Sequence, residues 1–208
     1  MPRKSELNQE LRDARKEQIL KAALIVFARR GMVATKISDI AKEAGLSHGL
    51  VYHYFNSKEE IFSLLVKKAA NSSIEIIQQA NAFKGTPLEK LRWMTEQILN
   101  SFVDSEHTLL FLIMIQASTS DAIPAEVKEL LTGDQSLSPV MCTLPIIAAG
   151  QEKGEIISAN PVTLAVTYYA FIQGLAINKI QWPECPIPDA NLLLKIFINE
   201  KGSSYHHE

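Results

Sequence analysis

The stretch Ile40-Ala41-Lys42-Glu43-Ala44-Gly45-Leu46-Ser47-His48-Gly49-Leu50-Val51-Tyr52-His53-Tyr54-Phe55-Asn56-Ser57-Lys58-Glu59-Glu60 decides the fold. Ile37, Ile40, Ala41 and Ala44 form the apolar stripe of one short helix, and Gly45 stands where that helix must end. Ser47 is placed to cap a second short helix running from His48 to about Tyr54. Two short helices joined by a tight turn containing glycine make a helix-turn-helix. The second helix of such a unit presents its N-terminal residues to base edges in a major groove.

Val51 is the natural anchor of that second helix, and Phe55 closes the small core beneath it. His48, Gly49, Tyr52 and His53 are then expected on the outward face. Glycine lets backbone approach DNA closely, a tyrosine offers a hydroxyl and a ring, and histidines can donate to phosphate or guanine. Thr35 and Lys36, before the first helix of the pair, are expected to reach phosphate on one side of the groove. Lys58, in the first turn of the following helix, is expected to do so on the other. Ser47, Leu50 and Tyr54 complete the expected DNA-binding set. Taken singly, each of these residues also suits an ordinary polar helix surface.

Helical punctuation extends in both directions. Upstream, Ile19, Ala23, Val26 and Phe27 share one face of a helix that Gly31 is placed to end. Downstream, Ser57 and Glu60 read as a capping box for a helix reaching about Phe83, and Thr86-Pro87-Leu88-Glu89 as a second box. Helices are expected to about Phe102, from Ser105 to Ser118, after Pro124, from Pro139, from Pro161 to Gln181, and from the cap Asp189 to about Glu200. Three prolines between Trp182 and Pro188 require a loop. No alternating strand pattern and no repeat is evident, so the fold class is all-α. The expected organisation is a helix-turn-helix domain over 1–57, a connecting helix over 58–83, a ligand-binding and dimerisation domain over 84–201, and a frayed tail over 202–208.

Charge follows this division. Residues 1–70 hold 13 Lys+Arg and 8 Asp+Glu, net +5, while residues 71–208 hold 8 and 15, net −7. A basic head on an acidic body suits a protein that presents only its head to a polyanion. No apolar run exceeds seven residues, as at Leu109 to Ile115, against the roughly 20 that a membrane span needs. The polar N-terminus lacks a secretory core, so a cytoplasmic location is expected. Cys142 and Cys185 fit neither a disulfide framework nor a metal site. No metal or cofactor is expected.

Residues Gln18 to Leu65 resemble the DNA-binding domain of the TetR family of transcription regulators. The resemblance rests on Phe27, Gly31, Thr35, Ile40-Ala41, Ala44-Gly45-Leu46-Ser47, Gly49, Tyr52, Phe55 and Ser57-Lys58-Glu59. Tyr54 departs from the pattern, standing where the family commonly has histidine. The resemblance implies a homodimer on an inverted-repeat operator in double-stranded DNA, and a pocket for a small-molecule effector in the C-terminal part.

The sequence offers candidates for both. Trp93, Gln97, Phe111, Met114, Met141, Tyr168 and Gln173 are large apolar groups with polar ones interleaved, the make-up of a small-molecule site, although the same residues suit a filled core. Ala170 and Gly174, one turn apart, allow close helix approach, and Leu175, Ile196 and Phe197 add apolar area for pairing. A ligand-responsive regulator, with repression as the favoured mode, is the leading reading. Two others stand beside it: a dimeric DNA-binding regulator without a ligand, and an enzyme carrying a DNA-localising head. The body holds only His107 before the tail and no His/Cys/Asp/Glu cluster, which argues against the enzyme.

Overall fold

The computed structural model describes residues 4–133 and 138–199. The tail expected over 202–208 lies outside them, as do Asp134 and Glu200. The described residues form ten helices: α1 (Lys4–Ala34), α2 (Ile37–Ala44), α3 (His48–Tyr54), α4 (Lys58–Ala82), α5 (Pro87–Ser101), α6 (Ser105–Thr119), α7 (Ala125–Thr132), α8 (Pro139–Glu152), α9 (Pro161–Gln181) and α10 (Ala190–Leu194). None is long and apolar enough to cross a membrane.

The described residues form two compact units, one of those up to Ala69 with Leu109–Leu130, the other of Ala70–Thr108 with those from Leu131 on. The division is not linear along the sequence, because later helices return to the first unit. There the Gln116 amide donates to the Ala28 carbonyl at 3.3 Å, and Lys67 pairs with Glu126.

The first unit is built on Ile19, Ala23, Phe27, Ile40, Val51, Phe55 and Phe62, all buried. Phe27 and Phe62 meet edge-to-face with centroids 5.4 Å apart. Gly31 takes φ 73 and kinks α1, which resumes for one turn to Ala34. Gly45 ends α2 at φ 67, and both glycines hold a left-handed backbone that other residues adopt at a cost. Helix α1 begins far upstream of its first buried residue, Ile19. That extension carries no buried stripe to betray it, but it lacks glycine and proline and is rich in helix formers.

In the second unit α8 packs on α5 and α9, and α10 on α5. Its core includes Leu91, Met94, Ile146, Ile147, Leu164, Tyr168, Ile172 and Phe197. At Gly150 an added Cβ would stand 2.5 Å from Ile156, so the chain packs there without room for a side chain. The last helix is shorter than expected. Asp189 caps it, accepting from Leu192 N at 2.9 Å, yet it ends at Leu194. The chain then turns so that Phe197 is buried against Tyr168 and Ile198 pairs with Ile156 in an isolated antiparallel bridge. Burial of Phe197 and backbone pairing outweigh continued helix. The bridge is the one extended pairing among the described residues, and alternation over so few residues leaves no sequence signal.

Candidate nucleic-acid interface

Helix α3 is held at both ends and from beneath. Ser47 Oγ accepts from Leu50 N at 3.2 Å, satisfying one of the free N-terminal amides. Val51 is fully buried, while Ser47, His48, Gly49, Tyr52 and His53 are exposed and Leu50 and Tyr54 half-buried. The four residues expected on the outward face therefore share it. His48 and Tyr52, one turn apart, meet edge-to-face at 4.9 Å, and His53 and Tyr54 at 5.2 Å. Nothing lies within 4 Å of where a Cβ on Gly49 would stand, so its lack of a side chain answers no packing need within the chain. Glycine here costs helix stability, about 1 kcal/mol against alanine, and leaves backbone open at the centre of the exposed face.

The flanking residues fare differently. Lys36 is exposed, and its amide donates to Asp39 Oδ2 at 2.9 Å, starting α2. Thr35 is buried, and its hydroxyl donates to the Gly31 carbonyl at 2.7 Å. The Lys58 ammonium donates to the carbonyls of Met32, Val33 and Thr35 at 2.9, 2.9 and 2.8 Å. Two of the three groups expected to reach phosphate, the Thr35 hydroxyl and the Lys58 ammonium, are thus engaged in closing the end of α1 onto the starts of α2 and α4, while the Lys36 side chain stays exposed. Ser57 caps α4 through Glu60 N at 3.1 Å, but the Glu60 carboxylate bonds Asn56 rather than returning to Ser57.

The residues expected to line a ligand site are divided between the two units. Phe111 and Met114 belong to the first unit and the other five to the second. Tyr168 is a core residue whose hydroxyl shares a 3.0 Å hydrogen bond with buried Thr95. On the same helix Gln173 is exposed, as is Met141 on α8, and Gln97 is half-buried. Trp93 lines a cleft of about 220 Å³ bounded also by Phe83, Lys84, Glu89, Arg92 and Glu96. Phe83 stacks on Trp93 at 5.8 Å, and the buried Nε of Arg92 has no partner among the described residues. The sequence reading missed Phe83 and Arg92. The Phe83–Trp93 spacing across a helix break could not have shown that they stack.

Of the residues expected at a subunit interface, Ala170, Gly174 and Ile196 are exposed, Leu175 is half-buried, and Phe197 belongs to the core. Val162, Val166 and Ile177 extend the exposed apolar stripe along α9. Sequence reasoning passed over these three, although their spacing from Ala170 and Gly174 by turns of the helix was legible.

Comparison with known proteins agrees with this geometry. The family described as "Bacterial regulatory proteins, tetR family" matches residues 19–65. Over 149 residues the chain is 30% identical to the Fatty acid metabolism regulator protein of Bacillus subtilis, covering 71% of this chain and 74% of that one. The chain belongs to the tetR family. It is a helix-turn-helix transcription regulator and not an enzyme. Among solved structures it is similar in fold to the ketosteroid transcriptional regulator KstR2 of Mycobacterium tuberculosis, with TM-score 0.68, 23% identity, and 87% and 90% of the two chains covered. It is also similar in fold to SmeT in a triclosan complex, with TM-score 0.64, 19% identity, and 90% and 93% covered.

Proposed function

We propose that this tetR-family chain acts as a homodimer that represses transcription from an inverted-repeat operator and is released from it by a small apolar or amphipathic effector. The observation that carries the reading is the exposed face of α3, with His48, Gly49, Tyr52 and His53 aligned over buried Val51. One such helix reads only a few base pairs, so specificity requires two heads about 34 Å apart or a multiple of that. The apolar stripe Val166, Ala170, Gly174 and Ile177 on α9 supports pairing through that helix, with Leu175 at its edge.

The effector reading draws on the relatives, whose names concern fatty acid metabolism, ketosteroids and triclosan. Within this chain the stacked Phe83–Trp93 pair beside Arg92 offers an apolar wall and an unsatisfied donor. Helix α4 runs from Lys58 in the first unit to Ala82 in the second, one residue before Phe83. A ligand favouring one tilt of α4 would change DNA binding only by its difference in affinity for the two states. The small size of the cleft favours a second reading, a dimeric regulator without an effector, since ligand sites usually enclose roughly 300–1,000 Å³.

Footprinting on DNA upstream of the gene for this chain, with and without candidate fatty acids and sterols, tests the proposal. A protected inverted repeat that opens with one of these compounds supports it. Protection indifferent to all of them favours the second reading, and absence of protection contradicts both.

A further inference from the structure

The N-terminal fifteen residues of α1 form a helix segregated by charge. Glu6, Glu10, Asp13 and Glu17 recur at intervals of four, three and four residues and so share one face. Arg12 and Arg15 lie on the opposite side, and Lys16 at the edge of that side nearer the acidic face. Between them run Leu7, Leu11 and Ala14, all exposed.

The two charged faces are turned to different parts of the first unit. On the acidic side, Glu17 accepts from the Lys68 ammonium of α4 at 2.9 Å. The basic side is the side of the helix-turn-helix. Arg12 stands about five turns before Arg30, so the two project in the same direction, and Arg30 pairs with Asp39 of α2 at 3.3 Å. Closer still, the Arg15 guanidinium donates to Gln18 Oε1 at 2.6 Å, and Gln18 Nε2 donates to the Ala44 carbonyl at 2.8 Å. Ala44 is the last residue of α2, and Gly45-Leu46-Ser47 then leads into α3. Arg15 is therefore two hydrogen bonds from the turn that positions the recognition helix. Arg12 and Arg15 are exposed, and Lys16 is half-buried.

We propose that the basic face of this extension, Arg12, Arg15 and Lys16, tracks the phosphate backbone of the duplex flanking the bases read by α3. The inference rests on the DNA-binding reading above and adds to it a second contact surface. Lys4–Gln18 reach about 22 Å along the helix axis, far enough to follow a strand beyond the reading site. The acidic residue nearest the body of the unit, Glu17, is held by Lys68 of α4 and away from this basic side. Such contacts carry no base information, so they strengthen binding to any sequence alike.

The test uses the full chain and the triple variant Arg12→Gln, Arg15→Gln, Lys16→Gln, with Glu10→Gln as a control on the other face. The probes are a duplex that the wild type selects from a random pool, the same site trimmed of its flanks, and a random duplex of the original length. Wild type should lose affinity when the flanks are trimmed, and the triple variant should not. On both long probes the variant should show a shallower salt dependence, by about 0.9 in the log–log slope for each phosphate no longer neutralised, roughly three per subunit. Glu10→Gln should match wild type in both respects. A triple variant with wild-type slope and wild-type sensitivity to trimming overturns the proposal, as does one whose only change is in sedimentation, which would make the face a contact between copies. If wild type selects no sequence, the operator reading fails, and the random duplex still reads the slope.

Discussion

The Lys58 ammonium donates to the Thr35 carbonyl at 2.8 Å, tying the first residue of α4 to the residue before the cap of α2. Its bonds to Met32 and Val33 at the same nitrogen make it the cap of the kinked end of α1. Lys58→Met should therefore lower the stability of the first unit by about 1–3 kcal/mol, the usual cost of stranding acceptors of a charged donor. Chemical denaturation followed by far-ultraviolet dichroism reads this. Because the whole reading head loosens, affinity for selected and random duplexes should fall together. An unchanged midpoint would show that the three carbonyls are as well served by water.

Burial holds the Tyr168 hydroxyl well above its ordinary range and pushes that of Tyr169 up to about 12, with bonds to Thr95 and Thr143 opposing the rise. In an unfolded chain both would ionise near 10. The folded state thus binds more protons than the unfolded state above that pH, and stability must fall as pH rises from there. Below it the contribution is constant. Alkaline titration should show these two phenols ionising only as the second unit unfolds. Ionisation of Tyr168 and Tyr169 near pH 10 in a protein that is still folded would contradict the packing described.

Gly174 lies exposed on α9 with open space where a Cβ would be, in line with Val166, Ala170 and Ile177. Gly174→Trp should yield monomers in sedimentation with unchanged helicity, because the ring has room on the free protomer and none between two closely approaching helices. A variant that remains a tight dimer would move the interface off this stripe. Phe197→Ala should instead destabilise the protomer by about 3–5 kcal/mol, since its ring is buried against Tyr168.

The contrast between Gly174 and Phe197 shows what the sequence could convey. Caps and turns are local, so Ser47, Thr86, Asn160 and Asp189 announced their helices correctly. The outward face of α3 was legible because one short helix has one buried side, fixed by Val51. Phe197 and Ile196 are neighbours with the same local pattern, and only the bridge between Ile156 and Ile198 decides which is buried. The engagements of Lys58 and Thr35 were equally hidden, because they depend on where the kink at Gly31 delivers three carbonyls. Sequence spacing signals which residues share a helix face, and carries nothing about which carbonyls a lysine will find across a turn.

Loss of the Ser47 cap should weaken α3 by about 1 kcal/mol. Ser47→Ala should accordingly lower the thermal midpoint modestly. Ser47→Asp, which keeps an acceptor for Leu50 N, should restore the midpoint while adding a negative charge at the DNA face, and so should not restore affinity. Recovery of both would mean that Ser47 acts only as a cap. Recovery of neither would mean that the cap is not what Ser47 contributes.

If α3 reads sequence through His48 and Tyr52, the ratio of specific to nonspecific affinity must depend on both side chains. Wild type, His48→Ala and Tyr52→Ala should be titrated against a selected inverted repeat and a random duplex at one salt concentration. Each substitution should weaken binding to the selected site by about 1–3 kcal/mol, typical of removing one base-reading side chain, and leave the random duplex little affected. Equal losses on both duplexes, or none on either, would contradict the reading of sequence by α3.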